Sequence, residues 1–350
     1  MITGDLDAEL IAAARAITAE LPATGPTWRP ALGGDPAAFA TSLPFELSRR
    51  TGRPPGELAA ALAAALGRTG WISSARPTGA GYLTITVTGS ALASVAARIV
   101  LAGADCARSL ELREASADVP PWPDLATAPT WRRAWQDQAA AMTGRFAHAA
   151  GASIHAAAGQ ERQVHAPQRA GAARSPVAAA AAFLGAGSVR YRLARTLPGR
   201  VGELAAASPG PDQYGVVQLA HAEAASTLRW AADLGLPQPD PVRARAGLLG
   251  ASAEQALLGL LSWFPLRVAA AARRRRPAEV PHYLEQLAAA WTGCRLACPA
   301  LPFGGAAAPR EPDLAAARLL LAAAVATVLA SGLGLAGLEP AATIGAAGVS

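Results

Sequence analysis

The sequence predicts a mostly helical chain: a small α+β domain over residues 1–105, then an all-α helical bundle over residues 186–350. Three observations predict it. Strand-like alternation falls in the first hundred residues, at Tyr82–Thr88. Hydrophobic residues make up 52% of the chain but aromatics only 5%. Much of the apolar content is Ala, which favours helix and buries little area per residue, so closely packed helix pairs are expected instead of an aromatic core. From residue 186 onward the apolar segments read at helical spacing.

In chain order, FATSLPFELSRR (Phe39–Arg50) reads as a helix, and GRPP (Gly52–Pro55) as a turn whose prolines open the next one. That helix, GELAAALAAALG, carries Leu58, Leu62 and Leu66 along one side. GWISSA and YLTITVT read as strands, with RPTGAG between them as a hairpin connection. In the second strand Leu83, Ile85 and Val87 point to the core, while Tyr82, Thr84, Thr86 and Thr88 point to solvent. SALASVAARIVLAG closes the unit as a helix.

Residues 106–185 read as a Pro- and Ala-rich linker with one amphipathic helix, TWRRAWQDQAAAMTGRFAHAA. Trp131 and Trp135, four apart, would dock that helix on a neighbour. The region, which includes the low-complexity AAAGQERQVHAPQRAGAARSP, is expected to be partly disordered. In the bundle, Val217, Ala220, His221, Ala224 and Leu228 share a face of one helix, and AEQALLGLLSWFP, PAEVPHYLEQLAAAWTGCRL and DLAAARLLLAAAVATVL follow. Four or five antiparallel helices are expected, with Gly332 as the last C-cap.

Charge narrows the partner class. The net charge is +6, and all 31 basic residues are Arg, which forks onto phosphate where Lys acts as a point charge. This suits an anionic partner such as RNA. Three cysteines, Cys106, Cys294 and Cys298, are too few for a disulfide framework and suit a reducing cytoplasm. No His or further Cys stands near Cys294 and Cys298 in sequence to complete a metal set, so neither metal nor cofactor is expected. The longest apolar run, near the C-terminus, contains Arg318 and many small residues and reads as a buried helix, with no membrane span expected. The N-terminal MITGDLDAELIAAARAITAEL is acidic early and lacks a cleavable signal pattern.

Two separated regions resemble arginyl-tRNA synthetases, in that family's order. The first is FATSLPFELSRRTGRPPGELAAALAAAL with GAGYLTITV; Phe39, Ala40, Thr41 and Ser42 stand at the family's Y-A-T-N motif, and Gly79 to Thr84 at its G-P-G-F-I-N strand. The second starts at LGAGSVRYRLAR, similar to G-A-D-A-V-R-Y. It runs through VVQLAHAEAASTLRWA and LLSWFPLRVAAAARRRRPAEVPHYLEQLAAAW to AARLLLAAAVATVLASGLGLAGLEP. The resemblance implies an N-terminal tRNA-contacting domain and a DALR anticodon-binding-like bundle. The catalytic domain that separates them in the family carries H-I-G-H and K-M-S-K-S-like signatures that stabilise charge on ATP. Here none of the five histidines, His148, His155, His165, His221 and His282, is three from another, and no Lys exists. Residues 106–185 also show no βαβ alternation, several units of which a doubly wound domain needs.

The resemblance implies RNA-contacting roles at particular positions. Tyr82 and Thr84 stand where the family's aromatic and Asn meet D-loop bases; Thr lacks the amide's paired donor and acceptor. Gln218, His221 and Arg229 lie on the bundle's entry helix, where His221 also reads as a half-buried, satisfied histidine. Arg273, Arg274, Arg275 and Arg276 read either as a phosphate clamp or as cations at a helix C-terminus. Trp291 stands where the family keeps an aromatic, while Trp263 and Phe264 read as core. Glu223 replaces a family Arg, and Cys294–Arg295 replace a Phe-Tyr pair. The expected partner is tRNA or a tRNA-like RNA, bound in the cytoplasm without catalysis. The alternatives are a scaffold for a protein partner that has lost tRNA affinity, or an arginine–tRNA ligase chain acting with a separate catalytic subunit.

Overall fold

A computed structural model describes residues 2–19, 25–67, 69–155, 175–205, 212–236, 238–302, 311–341 and 343. Its elements in chain order begin with α1 (Ile2–Ile17), β1 (Trp28–Pro30), β2 (Ala38–Thr41), α2 (Leu43–Thr51), α3 (Pro55–Leu66), β3 (Ile72–Thr78), β4 (Tyr82–Val87) and α4 (Gly89–Ala102). Then come β5 (Ser116–Ala117), α5 (Trp131–Ala149), β6 (Ser153–Ile154), α6 (Pro176–Leu184) and α7 (Ala186–Arg195). The chain closes with α8 (Gln213–Asp233), α9 (Ser252–Ser262), α10 (Phe264–Arg273), α11 (Glu279–Ala297) and α12 (Pro312–Leu335). The fold class is the one expected, a small α+β region followed by helices. The low-complexity stretch of the region expected to be partly disordered lies outside the described residues up to residue 174.

The chain divides into two compact units: residues 1–102, 227–263 and 292–324, and residues 103–226, 264–291 and 325–350. In the first, an antiparallel sheet has the order β1-β2-β4-β3. Leu83, Ile85 and Val87 are buried, as the alternation predicts, and α3 packs on β3 and β4. Phe39 is fully buried, its ring 5.2 Å from that of Trp263. The helix expected from Phe39 starts only at Leu43. Ala38–Thr41 form a strand because their backbone pairs with β1 on one side and β4 on the other and all four side chains are buried, so tertiary pairing overrides the local reading. Pro44 opens α2, and Gly52, in the left-handed region at φ 70°, ends it. The hairpin turn is shorter than expected, because β3 runs through Arg76 and Pro77 to Thr78.

Elsewhere in this unit α9 packs on α4. Glu254 of α9 is 1% exposed; its carboxylate accepts from Arg318 Nε at 2.7 Å and from the Ala251 N–H at 2.9 Å. Arg318 also donates to the Pro299 carbonyl at 3.0 Å. The Arg in the longest apolar run is therefore half of a buried ion pair.

In the second unit α5 is a core element and not a linker helix. Ala134, Gln138, Ala141, Met142 and Phe146 are fully buried, and the helix packs on α6, α7 and α10. Trp131 and Trp135 do dock it, against a cluster that includes Leu125, Val177, Val189 and Leu193. The Trp135 indole N–H donates to the Thr196 carbonyl at 2.9 Å. β5 and β6 pair in parallel across α5, so one β–α–β crossover exists where no such alternation is readable. Two-residue strands have no period to detect. Gly144 lets α5 approach the chain after β5: a Cβ there would lie 2.1 Å from the Asp118 carbonyl oxygen. Gly332 is not a C-cap. It sits inside α12, where a Cβ would meet the Leu284 side chain, and the left-handed glycine is Gly337 at φ 78°. Pro265 stands in the first turn of α10.

Three stretches, Gly89–Ala107, Ser252–Arg273 and Pro312–Leu335, are long and apolar enough by length and composition to cross a bilayer. Cys106, Cys294 and Cys298 are buried free thiols. Burial pushes the Cys106 pKa up to about 11 and that of Cys294 to about 12. Since the thiolate is the nucleophile, the native protein should resist a thiol reagent at pH 8 and label fully only in denaturant. Rapid native labelling of all three would contradict the packing.

Candidate nucleic-acid interface

The expected site residues fall into two surface groups and one internal group. The first surface group is on the sheet. Arg29, Ala40, Thr84 and Arg76 stand opposite one another across β1, β2, β4 and β3, so they form one row on one face. Arg29 and Arg76 are exposed. Thr84 is 5% exposed, against the expectation of a solvent-facing position, and its hydroxyl pairs with that of Thr78 at 2.9 Å. Tyr82 is half-buried; its ring centroid lies 4.8 Å from that of Phe45, and the Arg29 guanidinium stands 3.6 Å over it. Cation–π contact and a tilted ring contact with Phe45 thus fix the Tyr82 ring, and an incoming base would meet the planar guanidinium first. Arg29 and Phe45 are not legible in the sequence as partners of Tyr82, because Arg29 comes from a three-residue strand and Phe45 from a neighbouring helix.

The internal group is in the second unit. Gln218 is 7% exposed: its amide N–H group donates to the Tyr214 hydroxyl at 2.6 Å and the Glu339 carbonyl at 2.8 Å, and its carbonyl accepts from the Ala341 N–H at 2.7 Å. His221 is 8% exposed, with Nδ1 2.8 Å from the Ala341 carbonyl. These two side chains bond the backbone at Glu339 and Ala341, where the sequence suggests RNA contacts for them. Trp291 is 3% exposed, so its ring has no free face for stacking. Arg229, further along α8, is exposed, and Trp230 beside it is 59% exposed.

The second surface group is the Arg run, and all four side chains are exposed. Arg273 ends α10. The Arg276 N–H bonds the Ala271 carbonyl and the Arg275 N–H the Ala272 carbonyl, a Schellman closure with Arg275 in the left-handed position at φ 53°. That position ordinarily takes Gly, and a side chain there costs roughly 1–2 kcal/mol. Arg275→Gly should therefore raise the unfolding free energy by about 0.5–1 kcal/mol in a urea titration. A lower midpoint would show that the Arg275 side chain contributes contacts outweighing the strain.

The run borders a cleft of about 2030 Å³. Its walls include Trp135, Ala140 and Thr143 of α5, Pro120 and Pro121 after β5, and Pro198. Arg273 and Arg274 pair with Glu111 at 3.1 Å and Glu279 at 3.7 Å. Among the described residues Arg275 and Arg276 form no ion pair with a carboxylate, and both line the cleft. A second pocket, of about 340 Å³, is lined by Tyr191, Arg192, Arg195, Tyr214 and His282 among others. Arg195 forks onto Glu285 at 2.8 and 3.2 Å, and the Tyr191 hydroxyl donates to the Pro281 carbonyl and to Glu285. Burial, then Glu285, raise the Tyr191 pKa. No cluster of His, Cys, Asp or Glu suited to a metal occurs among the described residues.

Helices α8 to α12, with the Arg run between α10 and α11, form the segment whose ancestry decides the reading. Residues 217–344 match the DALR anticodon binding domain. This DALR-matching segment agrees with the resemblance read from the motifs. The chain is 45% identical over 123 residues to an arginine–tRNA ligase of Frankia alni, covering 35% of this chain and 22% of that protein. It is 38% identical over 164 residues to that of Micrococcus luteus, covering 45% and 29%. The matched stretches thus span less than a third of the length of these relatives. The solved Thermus thermophilus arginyl-tRNA synthetase aligns over 98% of this chain and 100% of that one, with a TM-score of 0.57 and 15% identity, a likeness of fold. In the DALR-matching segment, the expected contacts Gln218, His221 and Trp291 are internal, whereas Arg229 and the Arg run are exposed.

Proposed function

We propose that this chain is a catalytically inactive, cytoplasmic tRNA-binding protein with tRNA-Arg as its first ligand. The sheet face around Tyr82 meets the tRNA elbow, and the DALR-matching helices meet the anticodon arm. The match of residues 217–344 to an anticodon binding domain carries this reading. Electrostatics support it: a net charge of +6 carried wholly by Arg, with Arg29 and Arg76 exposed on the sheet and Arg273 to Arg276 exposed at the cleft. The chemistry of adenylation argues against catalysis. The family's signatures that stabilise charge developing on ATP phosphates use His and Lys, and this chain has neither Lys nor an H-x-x-H pair. Between the sheet and the DALR-matching segment the described residues hold a single short β–α–β crossover, where a doubly wound domain needs several.

A second reading is a scaffold for a protein partner. It is favoured by Gln218, His221 and Trp291, whose side chains are spent inside the fold. Two assays separate the readings. Arginine-dependent exchange of pyrophosphate into ATP is expected to be absent with and without tRNA. Filter binding is expected to retain tRNA-Arg. Exchange above background would overturn the inactivity, and failure to retain any tRNA would favour the scaffold.

A further inference from the structure

The cleft beside the Arg run has most of its wall outside residues 217–344. We infer that it binds an unpaired, single-stranded stretch of RNA, with phosphates on Arg275 and Arg276 and bases along the α5 wall. This rests on the reading that the chain binds RNA.

Four observations support it. Size comes first: about 2030 Å³ is roughly twice the upper end of small-molecule pockets, near 1000 Å³, so a polymer segment fits better than a metabolite. Charge comes second. Three of the four arginines in the run, Arg273, Arg275 and Arg276, line the cleft together with Glu279, and of these three Arg275 and Arg276 have no carboxylate partner among the described residues. Third, Arg275 occupies a left-handed position where Gly would sit without strain, so the fold retains a guanidinium there against a backbone cost. Fourth, Trp135 supplies an aromatic wall, its orientation fixed by the bond to Thr196. An aromatic surface beside Arg is the combination that holds single strands without sequence preference.

An extended acidic peptide fits less well. Such a ligand takes main-chain hydrogen bonds from its groove, and Pro120, Pro121, Pro198 and Pro277 in these walls have no N–H to donate.

The test uses the full chain and a fluorescent, unstructured eight-nucleotide RNA, with a hairpin of the same composition and intact tRNA-Arg as further probes. Arg275→Gly relieves strain while removing charge, Arg276→Gln removes charge alone, and Ala140→Glu places a carboxylate on an exposed part of the cleft wall. Melting curves confirm that each variant folds. The expected result is that the oligonucleotide binds, that the hairpin binds at least tenfold more weakly, and that each variant weakens oligonucleotide binding about threefold to tenfold. Contact with about two phosphates would give a log–log salt slope of about −1.4 for a single strand. Inorganic tripolyphosphate should compete poorly; equal competition would mean a phosphate site without base contacts and would overturn the inference. So would oligonucleotide affinity unchanged by Ala140→Glu and Arg276→Gln together, or absence of oligonucleotide binding while tRNA-Arg still binds. Oligonucleotide binding without tRNA binding would instead sink the proposed function and leave the cleft assignment standing.

Discussion

Arg318→Ala should unfold with a free energy about 3–5 kcal/mol below that of the parent, because it leaves an uncompensated carboxylate in the core. Glu254 is 1% exposed, and its partners are the Arg318 guanidinium at 2.7 Å and the Ala251 N–H at 2.9 Å. The N–H bond caps α9 and survives the substitution, but the charge is left without its counterion. Replacing both residues tests the mechanism. Glu254→Met with Arg318→Met removes the buried charge along with its partner and should recover most of the loss, since well-packed apolar pairs often match buried ion pairs in stability. Chemical denaturation of the two variants checks both values. A single-variant loss below about 1 kcal/mol would mean that water reaches Glu254.

The second large effect is expected at Gly144. A Cβ there would lie 2.1 Å from the Asp118 carbonyl oxygen and 3.1 Å from the Val119 Cα, both backbone atoms that cannot rotate away. Gly144→Ala gains helix propensity worth about 1 kcal/mol, but overpacking of this kind costs about 1–3 kcal/mol and occasionally more. With an approach this short we expect the clash to win, with a net loss of about 2 kcal/mol and displacement of β5 from β6. Differential scanning fluorimetry against Gly4→Ala sharpens the comparison: Gly4 is in α1 with nothing within 4 Å of its would-be Cβ, so that variant should be neutral or stabilising. Equal effects at the two glycines would refute the close approach.

The contrast between α5 and β2 shows what the sequence discloses. Helix α5 is legible in TWRRAWQDQAAAMTGRFAHAA because nineteen helical residues give several turns of pattern. Its role as a core element is not, because Ala134, Ala141 and Gly144 say nothing locally about what covers them. Strand β2 reads as the start of a helix, since four residues carry no distinguishable period and pairing with β1 and β4 decides the outcome. The β–α–β crossover escapes for the same reason. At the site, the Arg run and Tyr82 are visible as residue types. The Arg29 stack on Tyr82, the burial of Thr84, and the cleft shared by Arg276 and Trp135 depend on proximity between residues far apart in sequence. Gln218, His221 and Trp291 match a motif yet point inward, because a helix that keeps a family's pattern keeps its packing side chains as well as its ligand-facing ones.

The proposed function rests on binding of tRNA through the exposed arginines. The most direct measurement is the affinity for a tRNA-Arg transcript and for a non-cognate tRNA across a salt series, with the parent and an Arg273–Arg276 quadruple Gln variant. Preference for tRNA-Arg and a steep salt dependence are predicted for the parent. The variant should show a shallower slope, by roughly 0.9 for each duplex phosphate it no longer neutralises. Equal, salt-insensitive binding of both RNAs, or none, would contradict the claim.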